Sequence, residues 1–182
     1  MPTYAAFLRA INLGPTRKFP KESIVAATQA AGGTEVETYI NTGNVRFTTP
    51  LRSRIKIERA LESAYAADRG FAVPAIVFTL AELSRIAQDA LDMAERLDPD
   101  GMNERRHYVS LLKFEPAPEV AARVERLSTG SDLAVVRGRA VHLILESAYN
   151  ETPLGNAQVE KVLGVATNRS LTVISALVKK WA

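Results

Sequence analysis

Apolar positions along the chain fall into short runs and stripes of two different periods. Tyr4 to Arg9 is a compact apolar run that ends at Asn12-Leu13-Gly14-Pro15, the pattern of a buried strand followed by a loop. From Pro20 to Ala31, Ile24, Val25, Ala27 and Thr28 recur at helical spacing, and Gly32-Gly33 stops them. Val36–Ile40 and Val45–Thr49 flank Asn41-Thr42-Gly43-Asn44, which predicts a hairpin because Gly and Asn accept positive φ. Ile57, Ala60, Leu61, Ala64 and Tyr65 form the stripe of an amphipathic helix closed by Gly70. Phe71–Thr79 is β-rich, and Leu80–Ala90 reads as a helix with Leu83, Ile86 and Ala87 inward.

The same order then recurs. His107–Phe114 predicts a strand, Ala117–Leu127 a helix, and Leu133–Val136 with Ala140–Glu146 a hairpin around Arg137-Gly138-Arg139. Leu154–Leu163 predicts a helix ended by Gly164, followed by a very short strand at Val165-Ala166. Thr167 or Asn168 then caps a terminal helix with Leu171, Ile174, Val178 and Trp181 inward. The expected fold is therefore α+β: two ferredoxin-like βαββαβ(α) subdomains in tandem with antiparallel sheets. The expected division is 1–91, an acidic linker over 92–105 whose Asp98-Pro99-Asp100-Gly101 is turn chemistry, and 106–182.

Composition narrows the setting. With 182 residues, 47% hydrophobic and 24% charged, the chain is rich enough in apolar residues to build its own core. It has no Cys, which excludes disulfides and cysteine-based zinc sites. Its longest apolar runs, such as Val73–Phe78, fall far short of the roughly 18 residues that span a bilayer. The opening residues do not form a secretory signal, so no membrane partner and a cytoplasmic setting are expected. The net charge of +3 hides an asymmetry. Met1–Lys21 carries Arg9, Arg17, Lys18 and Lys21 without an acid, and Lys161–Ala182 carries Lys161, Arg169, Lys179 and Lys180, again without one. Such basic ends attract anions, although solvated surface charge gives the same pattern.

Three segments carry a family resemblance: Tyr4–Gly14 (Tyr-Ala-Ala-Phe-Leu-Arg-Ala-Ile-Asn-Leu-Gly), Thr38–Phe47 (Thr-Tyr-Ile-Asn-Thr-Gly-Asn-Val-Arg-Phe) and Leu163–Val173. Together they resemble the bacterial family called domain of unknown function 1697, over essentially the whole chain. The resemblance implies a small cytoplasmic bacterial α+β protein of two subdomains and implies no activity. Ala10 stands where that family usually has Gly, Pro15 where a second Gly is common, Lys21 where Met is usual, and Ser170-Leu171 where Asn-Trp is usual.

Candidate site residues are few. Asn12 with Gly14 suits a backbone nest, and Arg9, Arg17 and Lys18 would supply charge for a phosphate or carboxylate. Asn44, with Asn41 and Thr42, offers polar groups at the hairpin. Thr167 and Arg169 at the expected start of the last helix offer a cap and a cation. Turn and cap requirements account for the same residue types. No nucleophile elbow, phosphate loop, dinucleotide fingerprint or paired metal-binding histidines is present, so no cofactor and no metal are expected. His107 and His142 lie 35 residues apart and read as half-exposed strand residues. Three function classes remain. The first is a binding protein for a small anionic ligand where the two basic ends share a cleft at the subdomain junction. The others are a nucleic-acid-binding protein, permitted by a pI near 9.3, and an enzyme that polarises its substrate without a covalent nucleophile.

Overall fold

The computed structural model describes residues 1–40, 43–97, 105–149 and 151–182. Its elements run β1 (Thr3–Leu8), α1 (Lys21–Ala30), β2 (Thr34–Tyr39), β3 (Asn44–Thr48), α2 (Arg54–Arg69), β4 (Ala75–Thr79) and α3 (Leu80–Leu97). They continue with β5 (Arg106–Leu112), α4 (Pro118–Glu125), β6 (Leu133–Arg137), β7 (Ala140–Leu145), α5 (Asn156–Leu163), β8 (Ala166–Ser170) and α6 (Leu171–Trp181). Two four-stranded antiparallel sheets result, in the orders β2-β3-β1-β4 and β6-β7-β5-β8. The two orders are identical once β5 is matched to β1, so the expected tandem ferredoxin-like α+β fold is the one observed. The chain divides into two compact units, Met1–Glu82 with Trp181 and Leu83–Lys180 with Ala182. Among the described residues no helix is long and apolar enough to cross a membrane.

In the first unit, alternate residues of the strands meet the helices. Tyr4, Ala6 and Leu8 of β1, Val45 and Phe47 of β3 and Val77 of β4 pack with Ile24 of α1 and Ile57, Leu61 and Tyr65 of α2. In the second unit Leu112, Val136, Val141, Leu143, Leu145 and Ala166 play the same part against Val124 of α4 and Val159 of α5.

Both units protect their sheet edges with helix carboxylates. Glu62 Oε1 accepts from the Ala75 amide at 3.0 Å and Glu58 Oε1 from the Val77 amide at 3.1 Å, so α2 supplies acceptors along edge strand β4. In the second unit Glu160 Oε1 accepts from the Ala166 amide of β8 and Glu125 Oε1 from the Val136 amide of β6. Glu58 is buried and also holds Arg54 Nη1 at 3.0 Å. Replacing Glu58 by Ala is expected to destabilise the protein by about 3 kcal/mol, because a buried amide and a guanidinium lose this acceptor. Glu58→Gln, which keeps an acceptor oxygen, is expected to cost about half as much. Denaturant midpoints of the two variants check both values.

The structure corrects several element boundaries. The third helix does not stop at Ala90 but runs to Leu97, since Met93, Ala94, Glu95 and Arg96 favour helix and no Gly or Pro interrupts them before Pro99. The rest of the expected linker turn, 98–104, lies outside the described residues. Strand β4 begins at Ala75 rather than Phe71, after Pro74, which has no amide to give a ladder. The larger correction is at the last strand. Thr167–Ser170 does not open the terminal helix: Ala166–Ser170 is strand β8, paired antiparallel with Leu112–Tyr108 of β5, and the helix cap is Ser170, whose Oγ accepts from the Val173 amide. Thr, Asn and Ser serve equally as caps and as edge-strand residues, and the open edge of β5 decides between the two.

Candidate anion site in the first unit

The chain leaving β1 crosses to α1 through residues 9–20. Ile11 and Phe19 are buried and pin the two ends, while Asn12–Thr16 and Lys18 are exposed. The backbone alternates in hand: Ala10, Asn12 and Gly14 take φ of 57°, 56° and 64°, with negative φ between them. Ala10 thus occupies a left-handed conformation that glycine takes without the Cβ penalty, a physical reason for glycine to suit that position.

Asn12 is the hinge pin of this loop. Its amide donates to the Arg17 carbonyl at 2.7 Å, and its Oδ1 accepts from the Phe19 amide at 2.9 Å. Its side chain therefore organises the loop. Arg17 is spent in the same way, with Nε donating to the Ala10 carbonyl at 2.6 Å, Nη2 to the Ala72 carbonyl at 2.8 Å, and the guanidinium 4.5 Å from the Phe71 ring centre. Arg69 donates to the Lys18 carbonyl and lies over Phe19. Lys18 and Lys21 are exposed, and no ion pair among the described residues uses either.

The loop opens onto the first turn of α1. Its cap is Pro20, which has no side-chain acceptor for the leading amides. Asn12, Gly14, Lys18, Phe19, Pro20, Lys21 and Glu22 line a cleft of about 610 Å³ there. Glu22 is the acid of that first turn, opposite in sign to the two lysines.

The β2–β3 hairpin lies against the same loop. The Leu8 amide donates to the Gly43 carbonyl at 2.8 Å, and a Cβ on Gly43 would come within 2.7 Å of Leu8 Cβ and 2.8 Å of Ile11 Cδ1. Only glycine fits there, at φ 74°. Asn44 is fully buried and its Nδ2 donates to the Tyr39 carbonyl, closing the hairpin; residues 41–42 lie outside the described set.

Of the six residues singled out in the sequence, Asn12 and Lys18 line one cleft. Arg9 is half-buried beside it in the chain, its amide bonded to the Pro74 carbonyl. Thr167 and Arg169 belong to β8 in the second unit. There the buried Arg169 guanidinium donates to Thr167 Oγ1 at 2.9 Å and to the Asn168 carbonyl at 2.7 Å, and burial lowers its pKa to about 10.

A pairing the sequence did not disclose lies in the second unit. His142 on β7 is opposite Val109 of β5, which puts it on the same sheet face as His107, and His107 Nε2 meets His142 Nδ1 at 3.1 Å. His142 is not half-exposed but fully buried. Burial lowers the pKa of His107 to about 4, and burial, then the His107 and Arg137 charges, lowers that of His142 to about 3. The signal that unites them is strand register, which letters 35 positions apart do not carry. Among the described residues no group of three or more His, Asp or Glu side chains is arranged to hold a metal ion.

Two tandem ferredoxin-like units with a basic loop after the first strand define the class of protein. This chain belongs to the DUF1697 family of proteins of unknown function, whose model matches residues 1–142 and so takes in the first two of the three resembling segments. The structure of a conserved bacterial protein, SP0830 from Streptococcus pneumoniae, is similar over 99% of this chain and 98% of that one, with a TM-score of 0.75 and 21% identity, a likeness of fold. No curated protein sequence matches the chain.

Proposed function

We propose that the protein binds a small anionic ligand, phosphorylated or carboxylated, in the cleft between the β1–α1 loop and the first turn of α1. One observation carries this reading: a helix start without a side-chain cap opens into a cleft flanked by Lys18 and Lys21. The leading amides of α1 and the helix dipole favour negative charge, and two ammonium groups add point charges that suit phosphate oxygens. The bonds made by Asn12 and Arg17 hold the loop in place before a ligand arrives, which lowers the ordering cost of binding.

Thermal unfolding in the presence of inorganic phosphate, pyrophosphate and citrate tests it. A ligand at 100 times its dissociation constant adds about 2.7 kcal/mol of stability. The double variant Lys18→Ala/Lys21→Ala is expected to lose about tenfold or more in affinity, while its unliganded melting point stays within about 2 °C because both side chains are exposed. Wild-type affinity in that variant would refute the site. The nucleic-acid alternative is separated by titrating single-stranded RNA and DNA across salt concentrations, since phosphate-backbone contacts give a steep salt dependence.

A further inference from the structure

We propose that the second unit holds its own oxyanion site, for the phosphate of a phosphorylated small molecule, in the cleft where the start of β5 meets the start of α6. Register builds this place: Tyr108 of β5 is opposite Ser170, the last residue of β8, so the chain entering β5 and the chain leaving β8 run side by side. The cleft measures about 530 Å³, with Arg105, Arg106, His107, Ser170, Thr172 and Ser175 among its lining groups. A bare phosphate fills only part of that volume, which leaves room for the body of a small ester.

The polar lining is dominated by donors. Arg106 is exposed at the first position of β5, and no ion pair among the described residues uses it. Arg105 gives Nη2 to Glu146 Oε1 at 2.6 Å, yet its Nε is buried without an acceptor. A buried donor in this state is costly, and the guanidinium that carries it lines the cleft, where its outer nitrogens add positive charge.

The histidine pair adds a further donor. His142 Nε2 is buried without a partner. If His107 donated to His142 Nδ1, that Nε2 would have to be an orphaned N–H. If His142 Nδ1 donates to His107 Nε2, the orphan is only a lone pair, the cheaper alternative. His107 then carries its own proton on Nδ1, as a neutral donor. The hydroxyls of Thr172 and Ser175 complete a set that matches the several acceptor oxygens of a phosphate.

Amide resonances of the intact protein, titrated with inorganic phosphate and with glycerol 3-phosphate, test the proposal. Ser170, Thr172, Ser175 and Arg106 are expected to shift together with one dissociation constant, and more tightly for the ester. Arg106→Ala is expected to weaken that constant about tenfold or more, with Arg106→Lys intermediate because it keeps charge but loses the planar fork. The Lys18→Ala/Lys21→Ala variant is expected to leave it unchanged, so the two clefts succeed or fail separately. The exposed Arg106 leaves the melting point of the unliganded variant as a folding control. Absence of shifts at these residues, or unchanged affinity in Arg106→Ala, would overturn the proposal. Equal affinity for free phosphate and ester would reduce the site to an adventitious ion only and overturn the assignment of a phosphorylated small molecule.

Discussion

A chain ending at Ser170 is expected to lose its cooperative melting transition. Helix α6 carries Ile174 and Leu177, both fully buried, and Trp181, which is 6% exposed. Each such side chain contributes roughly 1.5–3 kcal/mol by leaving water, so the three together rival the roughly 5–15 kcal/mol that holds a whole domain folded. The helix is also well begun: Ser170 caps the Val173 amide, and Lys179 and Lys180 sit in the last turn where the dipole favours cations. Circular dichroism on heating checks the outcome. A sharp transition in the shortened chain near the temperature of the full one would make α6 an appendage. A graded version is Leu177→Ala, expected to cost about 2–5 kcal/mol.

The inward stripe of that helix shows what periodicity can and cannot tell. Leu171, Ile174, Val178 and Trp181 satisfy helical spacing, yet the buried set is Ile174, Leu177 and Trp181, with Val178 half-buried. Positions i+3 and i+4 lie on neighbouring flanks of one face, and the choice between them depends on what the helix packs upon. Element order survived this kind of uncertainty because hairpins and glycine stops are local signals: the Gly43 hairpin, the Gly70 helix end and the Gly138 turn all stand where the letters put them. The letters give strand β8 only as Val165-Ala166, since its extent from Ala166 to Ser170 comes from pairing with β5 and not from its own residues.

The candidate site was legible to the same degree. Basic residues of the first segment could be counted, but their uses could not. Arg17 turns inward to the carbonyls of Ala10 and Ala72 and to the Phe71 ring, contacts that join positions up to 55 residues apart. Lys18, one residue later, is left exposed. Asn12 with Gly14 suits a backbone nest in the sequence; Asn12 lines the cleft, and its side chain accepts from the Phe19 amide, a bond that joins positions the letters do not connect. Net charge sets the long-range field of a segment, whereas the local hydrogen-bond demand of its backbone decides which cations remain for a ligand.

Stability is expected to fall steeply between pH 6 and pH 4, driven by the buried histidine pair. The folded values of about 4 for His107 and about 3 for His142 lie below the ordinary 6.5. The unfolded chain therefore binds protons, as pH drops through 6.5, that the folded chain refuses. Their neutral forms leave stability intact above about pH 6.5, and it is lost progressively below, by about 1.4 kcal/mol per pH unit for each histidine. Two such groups remove roughly 5 kcal/mol between pH 6 and pH 4. Asp132 does not share this window. Burial pushes its carboxyl up, but the Thr152 hydroxyl and the Ser147 and Glu146 amides outweigh that and hold it below its ordinary 3.8, so its contribution is lost only at lower pH. Urea midpoints at pH 7, 6, 5 and 4.5 should decline along this slope. His107→Phe, which removes one of the two titrations and the charge that opposes protonation of His142, is expected to halve the slope or more. A wild-type midpoint that stays level from pH 7 to pH 4.5 would mean that water reaches both imidazoles and that the pair is not held neutral by burial.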